Sequence, residues 1–356
     1  MNSRAAACIK RFIDLYVPVT TCTLHCHYCY VYQQRLFMNK LPEFRYSPDV
    51  VQRALAVERL GGICLVNMCG GGETLLPPQM TDYVRVILEN GHYVTVVTNG
   101  TVSSRFAEIA AFPSELLSRL HFKFSYHYLE LKRKNLFPLF FNNIRRMRDA
   151  GCSFTLELTP NDETIPYIDE LKELAVRELG APCQVTIARN DISPLRDKPI
   201  LTELDHEEFY RVWSAFDSDM MKFKRSIFGV KRKEFCYAGL WSFVLDLGTG
   251  MMSQCYGTRR KWPIFDDPEK PLPLLPVGCE CPMPHCYNGH AYLTLGNIPE
   301  LDTITYAQIR NRRCVDGTEW LKPKVKEFFS GKLKDANQQY PWWRKLWHRL
   351  RYRGRM

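Results

Sequence analysis

The sequence contains no apolar run long enough to span a membrane, no evident internal repeat and no long low-complexity tract. A spanning helix needs about 20 consecutive, mostly apolar residues. The first residues, MNSRAAACIKRF, also lack a long apolar stretch followed by a cleavage site. We therefore expect a cytoplasmic protein that is either fully soluble or attached peripherally to a membrane surface.

Acidic residues are absent from segment 341–356, which holds six Lys or Arg. More than half of the net charge of +10 therefore belongs to this tail and not to the rest of the chain. The chain has 14 Cys without a recognisable secretion signal, which indicates a reducing compartment. In such a compartment, clustered Cys are metal or catalytic sites more often than disulfides.

Apolar, β-branched-rich runs alternate with helical patterns in the first half of the chain. The predicted strands are 12–17, 63–68, 93–98, 121–125, 153–159 and 183–188, and the predicted helices are 48–60, 79–89, 103–111, 139–149, 165–179 and 204–224. This alternation predicts an α/β fold with a parallel sheet, either an open doubly wound sheet or a barrel. A Cys-, Pro- and Gly-rich stretch follows, so we divide the chain into 1–230, a small module at 231–300 and a C-terminal helical region at 301–356.

A CxxxCxxC run with Cys22, Cys26 and Cys29 follows the first predicted strand. Three thiolates at this spacing can each bind one iron of a cubic [4Fe-4S] cluster, and without a fourth Cys nearby one iron stays open to an outside ligand. A zinc site is the alternative, since short Cys spacings suit zinc as well. The run resembles the motif of the radical S-adenosylmethionine (radical SAM) superfamily, in which the open iron chelates the amino and carboxylate groups of S-adenosylmethionine (SAM).

The resemblance implies a partial (β/α)6 TIM-like barrel with cluster and cofactor at the C-terminal ends of the strands. After the second strand, Gly71, Gly72 and Glu73 match the family's GGE motif, whose backbone and Glu contact the amino group of the cofactor. By the same resemblance, the aromatic position before the last Cys and the strand ends supply further cofactor-binding residues: Tyr28, Thr98, Asn99, Ser125 and Arg189. Such residues also serve as ordinary turns and helix caps, which is the alternative.

Glu157 and Arg189 place charges in or at the end of otherwise apolar strands. A buried charge is costly unless it is paired, so both are predicted to face the barrel mouth. Arg189 then binds the cofactor carboxylate or a substrate anion, or it forms an ion pair with Glu157. His127 lies near the same mouth and is more simply a structural residue than a catalytic one, so no catalytic residue is assigned.

A second set of Cys lies in the Cys-rich module. A Cys, a predicted hairpin, a Gly and a further Cys resemble the opening of the auxiliary-cluster modules called SPASM and twitch domains. The resemblance implies one auxiliary [4Fe-4S] cluster on Cys236, Cys255, Cys281 and Cys286, with Cys279 interchangeable with Cys281. The full SPASM pattern has seven Cys and two auxiliary clusters, whereas this module has five Cys, so a second auxiliary cluster is not expected. His290 and the distant Cys314 are the only further candidate ligands. A structural zinc on four Cys is the alternative.

The remaining Cys residues, Cys8, Cys64, Cys69, Cys152 and Cys183, are expected to be small buried apolar side chains. In the tail, Trp343, Leu346, Trp347 and Leu350 share one helical face, and basic residues occupy the rest: Arg344, Lys345, Arg349, Arg351 and Arg353. Such a helix suits an anionic membrane surface, the body of the protein itself or an anionic partner.

The resemblance implies an enzyme that reductively cleaves SAM, with an electron from a donor such as flavodoxin or ferredoxin, to a 5′-deoxyadenosyl radical that abstracts hydrogen from its substrate. Peptide maturation is the common task of SPASM-bearing relatives and is therefore the first hypothesis, although only a short segment precedes the first strand. Dehydrogenation or rearrangement of a small molecule, such as a sugar or a nucleotide-linked metabolite, is the second hypothesis. A non-catalytic, zinc-stapled binding protein is the third.

Overall fold

A nine-stranded sheet runs through the part of the chain that the computed structural model describes, residues 8–195, 197–279 and 281–352. In chain order its strands are β1 (Arg11–Val17), β2 (Cys64–Gly70), β3 (Tyr93–Thr98), β4 (Leu120–Ser125), β5 (Ser153–Leu158), β6 (Gln184–Val185), β7 (Ser242–Asp246), β8 (Met251–Ser253) and β9 (Lys261–Pro263). Their order across the sheet is β6-β5-β4-β3-β2-β1-β7-β8-β9, so β6 and β9 lie at its two edges and the sheet is open.

Strands β1 to β6 all run parallel, and β7 pairs in parallel with the free side of β1. Strands β1 and β5 are buried at nearly every position, which is why their sequences read as continuous apolar runs. Six parallel strands joined by helical crossovers confirm the predicted partial (β/α)6 barrel. Strand β6 has only two residues, against the predicted 183–188.

The helices cover the sheet and fill the C-terminal third of the chain. They are α1 (Tyr30–Gln33), α2 (Pro48–Ala54), α3 (Val57–Leu60), α4 (Met80–Glu89), α5 (Ser103–Ala110), α6 (Ser114–Leu117), α7 (Tyr128–Arg133), α8 (Phe137–Asp149), α9 (Ile168–Leu179), α10 (His206–Trp213), α11 (Asp219–Ile227), α12 (Gly289–Tyr292), α13 (Tyr306–Arg310), α14 (Pro323–Ser330), α15 (Leu333–Ala336) and α16 (Trp342–Tyr352). Two 3-10 helices, Asp162–Tyr167 and Ser214–Phe216, precede α9 and α11.

The predicted helix 48–60 is two helices, α2 and α3, and side-chain hydrogen bonds explain the break. The side-chain amide of Asn90 donates to the carbonyl oxygens of Gln52 and Leu55, and the ring of His92 lies 2.7 Å from the Leu55 oxygen. These carbonyls are the ones that a continuous helix would use for its own next turn. The predicted helix 204–224 is likewise interrupted, at Asp217, whose φ is 44°.

Two apolar cores lie on opposite faces of the sheet. The larger core contains Ile13, Val66 and Val94 and packs beneath the crossover helices. The smaller core contains the alternate strand residues Phe12, Leu65 and Tyr93 and is closed by the C-terminal third of the chain. The ring of Tyr93 stacks on Phe328 of α14 at 3.7 Å. The C-terminal region is therefore part of the barrel's concave side and not a separate layer.

The Cys-rich stretch begins as an extension of the barrel sheet. Strand β7 pairs with β1, and β8 and β9 follow in antiparallel order. Because β1 leads directly into the loop with Cys22, Cys26 and Cys29, this pairing fixes the Cys-rich stretch next to that loop. No helix in the described ranges is long and apolar enough to cross a bilayer.

Candidate functional site

The loop between β1 and α1 carries Cys22, Cys26 and Cys29, and neighbouring loops hold it in place. The backbone N–H of Gly72 donates to the Val19 oxygen at 2.6 Å, and that of Glu73 donates to the Thr21 oxygen at 3.0 Å. These bonds join the loop after β1 to the loop after β2. Hydrogen bonds from the glycine-rich segment therefore hold the CxxxCxxC run in place without a bound ligand.

Two further side chains fix the same loop. The amide of Asn99 donates to the Sγ of Cys22 at 3.4 Å and to the hydroxyl of Thr23 at 2.8 Å. The carboxylate of Glu130 on α7 accepts from the backbone N–H of His25 at 2.9 Å. The three strand-end loops after β2, β3 and β4 thus converge on the Cys loop, as expected where the ends of parallel strands meet at one edge.

One cavity of about 150 Å³ brings most of the predicted site together. The three thiols line it together with Gly71, Gly72, Glu73, Thr98, Asn99 and Ser125, and His127 also contributes to its wall. Tyr28 is not among these lining residues in the described part of the chain; its hydroxyl shares a hydrogen bond with Nδ1 of His127 at 2.8 Å. Arg189 does not line this cavity either. We call this the triad cavity.

Glu73 is buried and holds two strand ends together. Its carboxylate accepts from the Thr98 hydroxyl at 2.6 Å, from the Asn99 N–H at 2.7 Å and from the Leu75 N–H at 3.0 Å. Burial raises the pKa of this carboxyl, and the three hydrogen bonds act in the opposite direction. Because a carboxylate offers about four acceptor positions, one remains for a ligand.

The thiols of the triad cavity lie in a poorly hydrated environment. Burial raises the pKa of Cys22 to about 11, and the negative charge of Glu73 adds to the effect. Burial also raises the pKa values of Cys26 and Cys29. A thiolate must therefore be stabilised by positive charge brought into the cavity, and iron in a cluster supplies such charge.

A second small cavity, of about 40 Å³, is lined by four thiols: Cys236, Cys255, Cys281 and Cys286. Burial raises the pKa of Cys255 to about 12, and the charge of Cys281 raises it further. The other thiols of the cavity act on Cys236 and Cys286 in the same way, so all four lie within electrostatic range of one another. We call this the four-thiol cavity.

The further ligand candidates lie elsewhere. Cys279 and His290 are not among the described residues that line the four-thiol cavity. His290 instead lines a larger neighbouring cavity. The thiol of Cys314 donates to the Leu179 oxygen at 3.3 Å and lies against Gly180, at the end of α9. The fold thus separates Cys314 from the other Cys of the module.

Both Cys sites are spread around a cavity. Within the described ranges, no three His, Cys, Asp or Glu side chains are grouped so that they could hold a metal ion. A zinc ion needs its ligands about 2.0–2.3 Å from a single point. The thiols of each site line the wall of a cavity.

A cavity of about 560 Å³ lies between the two Cys sites and shares walls with both. It shares Gly70 and Val97 with the triad cavity, and Tyr256 and Cys286 with the four-thiol cavity. We call it the central cavity. Its charged and polar lining residues include several that the sequence patterns did not single out: Asp14, Asn67, Lys123, Lys224, Tyr256, Asn288 and Arg310.

Asp14 joins the barrel to the Cys-rich stretch. Its buried carboxylate accepts hydrogen bonds from Tyr256 at 2.6 Å, Asn288 at 2.7 Å and Asn67 at 2.8 Å. Burial raises the pKa of Asp14, and these hydrogen bonds oppose the rise. A charge inside an apolar strand was the signal that singled out Glu157, and the same signal applies to Asp14 and Lys123.

The predicted charge pair at the barrel mouth has different partners from those expected. Glu157 is bound by Lys123 of β4 at 3.0 Å and by Arg310 of α13 at 2.5 Å. Burial alone would raise the pKa of Glu157, but these two cations lower it to about 2. The predicted alternative of a Glu157–Arg189 ion pair is therefore wrong, because nearer cations already occupy the carboxylate.

Arg189 and His127 lie at two different cavities. Arg189 lines the central cavity, where its guanidinium lies 4.7 Å from the ring centre of Tyr287. His127 is buried beside the triad cavity, and burial lowers its pKa to about 4. His127 is therefore neutral at neutral pH and fits the structural role of hydrogen-bonding to Tyr28.

The other Cys residues agree in part with the expectation of burial. Cys64, Cys152 and Cys183 are buried in or beside strands. Cys8 is exposed, because it precedes the first residue of β1. Cys69 is partly exposed, because the end of β2 opens onto the central cavity. The expectation was therefore wrong for Cys8 and Cys69.

Comparisons with known proteins agree with this site. Residues 16–175 match the family model described as the radical SAM superfamily. No curated protein matches the chain. The solved structure of SuiB from Streptococcus suis bound to S-adenosylmethionine is similar at a TM-score of 0.50 and 13% identity, covering 72% of this chain and 64% of SuiB. The chain therefore spans less than two thirds of SuiB, and the likeness shows the fold alone.

Two further solved structures are similar over comparable lengths. The structure of anSMEcpe with bound AdoMet has a TM-score of 0.48 at 14% identity, covering 73% of this chain and 77% of that one. SuiB bound to the precursor peptide SuiA has a TM-score of 0.46 at 14% identity, covering 75% and 64%. Residues 16–175 therefore match a radical SAM domain, and the triad cavity lies within the loops of this domain.

Proposed function

We propose that Cys22, Cys26 and Cys29 hold a [4Fe-4S] cluster and that SAM binds in the adjoining part of the triad cavity. One observation carries this proposal: the three thiols, the GGE segment and the ends of β3 and β4 line the same cavity. When bound, the cluster and SAM supply the electron and the 5′-deoxyadenosyl radical that abstracts hydrogen from the substrate. The electron donor is a small redox protein such as flavodoxin or ferredoxin.

The protein's own residues position the cofactor. The remaining acceptor position of Glu73 suits the ammonium group of SAM, and the backbone of Gly71 and Gly72 forms the wall beside it. Thr98, Asn99 and Ser125 contribute hydroxyl and amide groups at the strand ends. The Thr98 hydroxyl donates to Glu73 and accepts from the Gly100 N–H at 3.1 Å, so one lone pair of its oxygen is left for the ligand.

The four-thiol cavity is proposed to hold one auxiliary [4Fe-4S] cluster, as in SPASM and twitch modules. Cys236, Cys255, Cys281 and Cys286 supply four thiolates, which completes the ligand set of such a cluster. This assignment favours Cys281 over Cys279. Because Cys286 also borders the central cavity, the auxiliary cluster would lie beside bound substrate and assist its oxidation.

The substrate is proposed to be a peptide that enters the central cavity, in keeping with the common task of SPASM-bearing relatives. The size of the cavity favours a second candidate, because about 560 Å³ is typical of small-molecule sites. Dehydrogenation or rearrangement of a sugar or a nucleotide-linked metabolite is therefore retained as the alternative. A non-catalytic zinc-binding protein is not retained, because residues 16–175 match the radical SAM superfamily model.

Anaerobic reconstitution tests the proposed cofactors. We expect about eight irons and eight sulfides per chain and formation of 5′-deoxyadenosine from SAM under reducing conditions. Reduction by flavodoxin should replace a chemical reductant in the same assay. Zinc in place of iron, or no cleavage of SAM by protein with full iron content, would contradict the proposal. Incubation with candidate peptides and with nucleotide sugars, followed by mass spectrometry, separates the two substrate classes.

We further propose that α16 rests on an anionic membrane surface. Its outward residues are large and apolar: Trp342, Trp343 and Trp347 are 76%, 59% and 52% exposed, and Leu346 and Leu350 are 48% and 69% exposed. Its inward side is fixed to the body by buried His348 and by an ion pair between Lys345 and Glu300. Exposed Trp and Leu beside basic residues suit the interface of an anionic bilayer. Arg353 of the predicted basic face lies outside the described residues.

A further inference from the structure

Two cationic side chains in the central cavity are not neutralised by a close carboxylate. Lys224 of α11 lines the cavity, and its ammonium group makes no hydrogen bond or ion pair within the ranges that the structure describes. Arg189 has only a distant carboxylate, since its Nε lies 3.9 Å from Oδ1 of Asp191. That separation is longer than a hydrogen bond, so both cations are available to a ligand.

The other two cations of the cavity have a partner. Lys123 and Arg310 both form ion pairs with Glu157. Two carboxylates lie on the wall: uncharged donors from Asn67, Tyr256 and Asn288 occupy Asp14, and Asp191 lies beside Arg189. Among the described residues, four cations therefore face three carboxylates, Glu157 included, so the unmatched positive charge lies at Lys224, and Arg189 has only the distant Asp191.

The environment of Lys224 shows the cost of this excess. Burial lowers the pKa of Lys224 to about 7; Glu157 raises it, while Arg189, Lys123 and Arg310 lower it further. An anion bound between the cations would remove this repulsion and restore the charge of Lys224. The free-energy cost of burying these cations is smaller when a bound ligand supplies the missing negative charge.

Arg189 is held between the two Cys sites. The side-chain amide of Gln33, four residues after Cys29, donates to the Arg189 carbonyl at 3.1 Å and accepts from the Asp191 N–H at 2.9 Å. On the other side, the Arg189 guanidinium lies over Tyr287, the residue after Cys286. A group bound by Arg189 therefore lies between the triad cavity and the four-thiol cavity, where the substrate of the proposed reaction has to be.

We infer that Lys224 and Arg189 bind an oxyanion carried by the substrate. Guanidinium groups bind carboxylate and phosphate with paired hydrogen bonds, and an ammonium group adds a compact charge. The inference rests on the proposed function: for a peptide substrate, the oxyanion is the carboxylate of an acidic residue next to the reacting one. For the alternative small-molecule substrate, it is a phosphate or pyrophosphate.

Calorimetric titration of the anaerobically reconstituted protein with SAM bound tests this site. The probes are two capped tripeptides, acetyl-Ala-Glu-Ala-amide and acetyl-Ala-Gln-Ala-amide, and inorganic pyrophosphate. We expect the Glu peptide to bind at least about tenfold more tightly than the Gln peptide. Lys224→Met and Arg189→Gln should each remove this preference, whereas Lys224→Arg and Arg189→Lys should retain most of it. Lys222→Met, which removes an exposed charge from the same helix, is the matched control and should behave as wild type.

Equal affinity for the Glu and Gln peptides and no binding of pyrophosphate would overturn the inference, as would anion binding that survives both Lys224→Met and Arg189→Gln. Binding of pyrophosphate that depends on both residues, without binding of the Glu peptide, would support the oxyanion site and overturn the peptide substrate of the proposed function. A matching loss of SAM affinity in Arg189→Gln would assign Arg189 to the cofactor carboxylate and overturn its substrate role. Iron content and circular dichroism verify that each variant is folded.

Discussion

Glu73 accepts a hydrogen bond from the hydroxyl of Thr98 at 2.6 Å, which ties the loop after β2 to the end of β3. The neighbouring Asn99 extends this connection, because its N–H donates to Glu73 and its side chain donates to Cys22. A continuous chain of contacts therefore runs from the GGE segment to the first Cys of the triad. The same carboxylate that is proposed to bind the cofactor also holds the cluster loop.

Replacing Glu73 with Gln should weaken both folding and SAM binding. The amide would present a donor to one of the three donors that now face the carboxylate, and a buried unsatisfied group costs about 1–3 kcal/mol. Urea unfolding of the apoprotein measures the stability loss, and titration with SAM measures the affinity. Glu43→Gln, at a largely exposed Glu, is the matched control. Unchanged stability together with unchanged SAM affinity would show that Glu73 has neither role.

Gly72→Ala should displace the Cys loop. A Cβ at Gly72 would overlap the carbonyl oxygen and carbon of Thr21, and both are backbone atoms that cannot rotate away. The expected result is loss of iron from the triad site, about four irons per chain, with the auxiliary iron retained. Iron analysis after reconstitution provides the measurement. Gly331→Ala is the control, because a Cβ there meets only ordinary contacts. Full iron content in Gly72→Ala would refute this explanation of the glycine.

The barrel and the triad cavity could be predicted from the sequence because both depend on local patterns. The buried strands read as apolar runs, and the motifs follow the strands at fixed positions. At Gly72 the structure adds a role that the sequence did not predict. The GGE resemblance implies that its backbone contacts the cofactor, and the structure shows in addition that the missing side chain leaves room for the backbone of Thr21.

The central cavity could be predicted only in part. Asp14 and Lys123 carry a readable signal, a charge in an apolar strand. Lys224 and Arg310 lie on helices α11 and α13, far along the chain from Glu157, and only the packing of both helices against the sheet brings them to it. Spacing along the chain holds no information on such contacts. The alternative in which Arg189 pairs with Glu157 was therefore wrong.

The two close candidates for one auxiliary ligand can be separated by substitution. Cys281 lines the four-thiol cavity and Cys279 does not. Cys281→Ala should therefore reduce the iron content of the reconstituted protein by up to about four per chain, and Cys279→Ala should leave it unchanged. The two variants are matched controls for each other, because they lie two residues apart. The reverse result would exchange the two assignments, and equal loss in both would contradict a cluster with four fixed thiolates.

Stability should fall as the pH falls below about 6.5, in part because of His121. Burial lowers the pKa of His121 well below its ordinary value, and the positive charges of Arg310 and Lys123 lower it further. His121 is therefore neutral in the folded protein and gains its proton only on unfolding. Its contribution is complete above the unfolded pKa of about 6.5 and decreases below it, by about 1.4 kcal/mol between about pH 7.5 and about pH 5.5.

Urea unfolding at these two pH values measures the effect. At the higher pH, the free energy of unfolding of His121→Gln should be lower than that of wild type, because the contacts of His121 with Thr95 and Thr155 are altered. The difference between the two pH values should be smaller than in wild type by about 1.4 kcal/mol. His206→Gln, at an exposed position, should keep the wild-type difference. A pH difference that is the same in His121→Gln and wild type would show that folding does not lower the pKa of His121.

The outward face of α16 should determine membrane binding. With vesicles of about one third phosphatidylserine in phosphatidylcholine, the wild-type protein should float with the lipid, and increased salt should weaken the binding. Trp343→Ser combined with Trp347→Ser should reduce the bound fraction about tenfold, because both rings face away from the protein. Val315→Ser, which removes an apolar side chain that is 84% exposed elsewhere, is the control. Equal flotation of the double variant and wild type would reject the membrane. If the double variant instead loses a protein partner, α16 serves a protein interface.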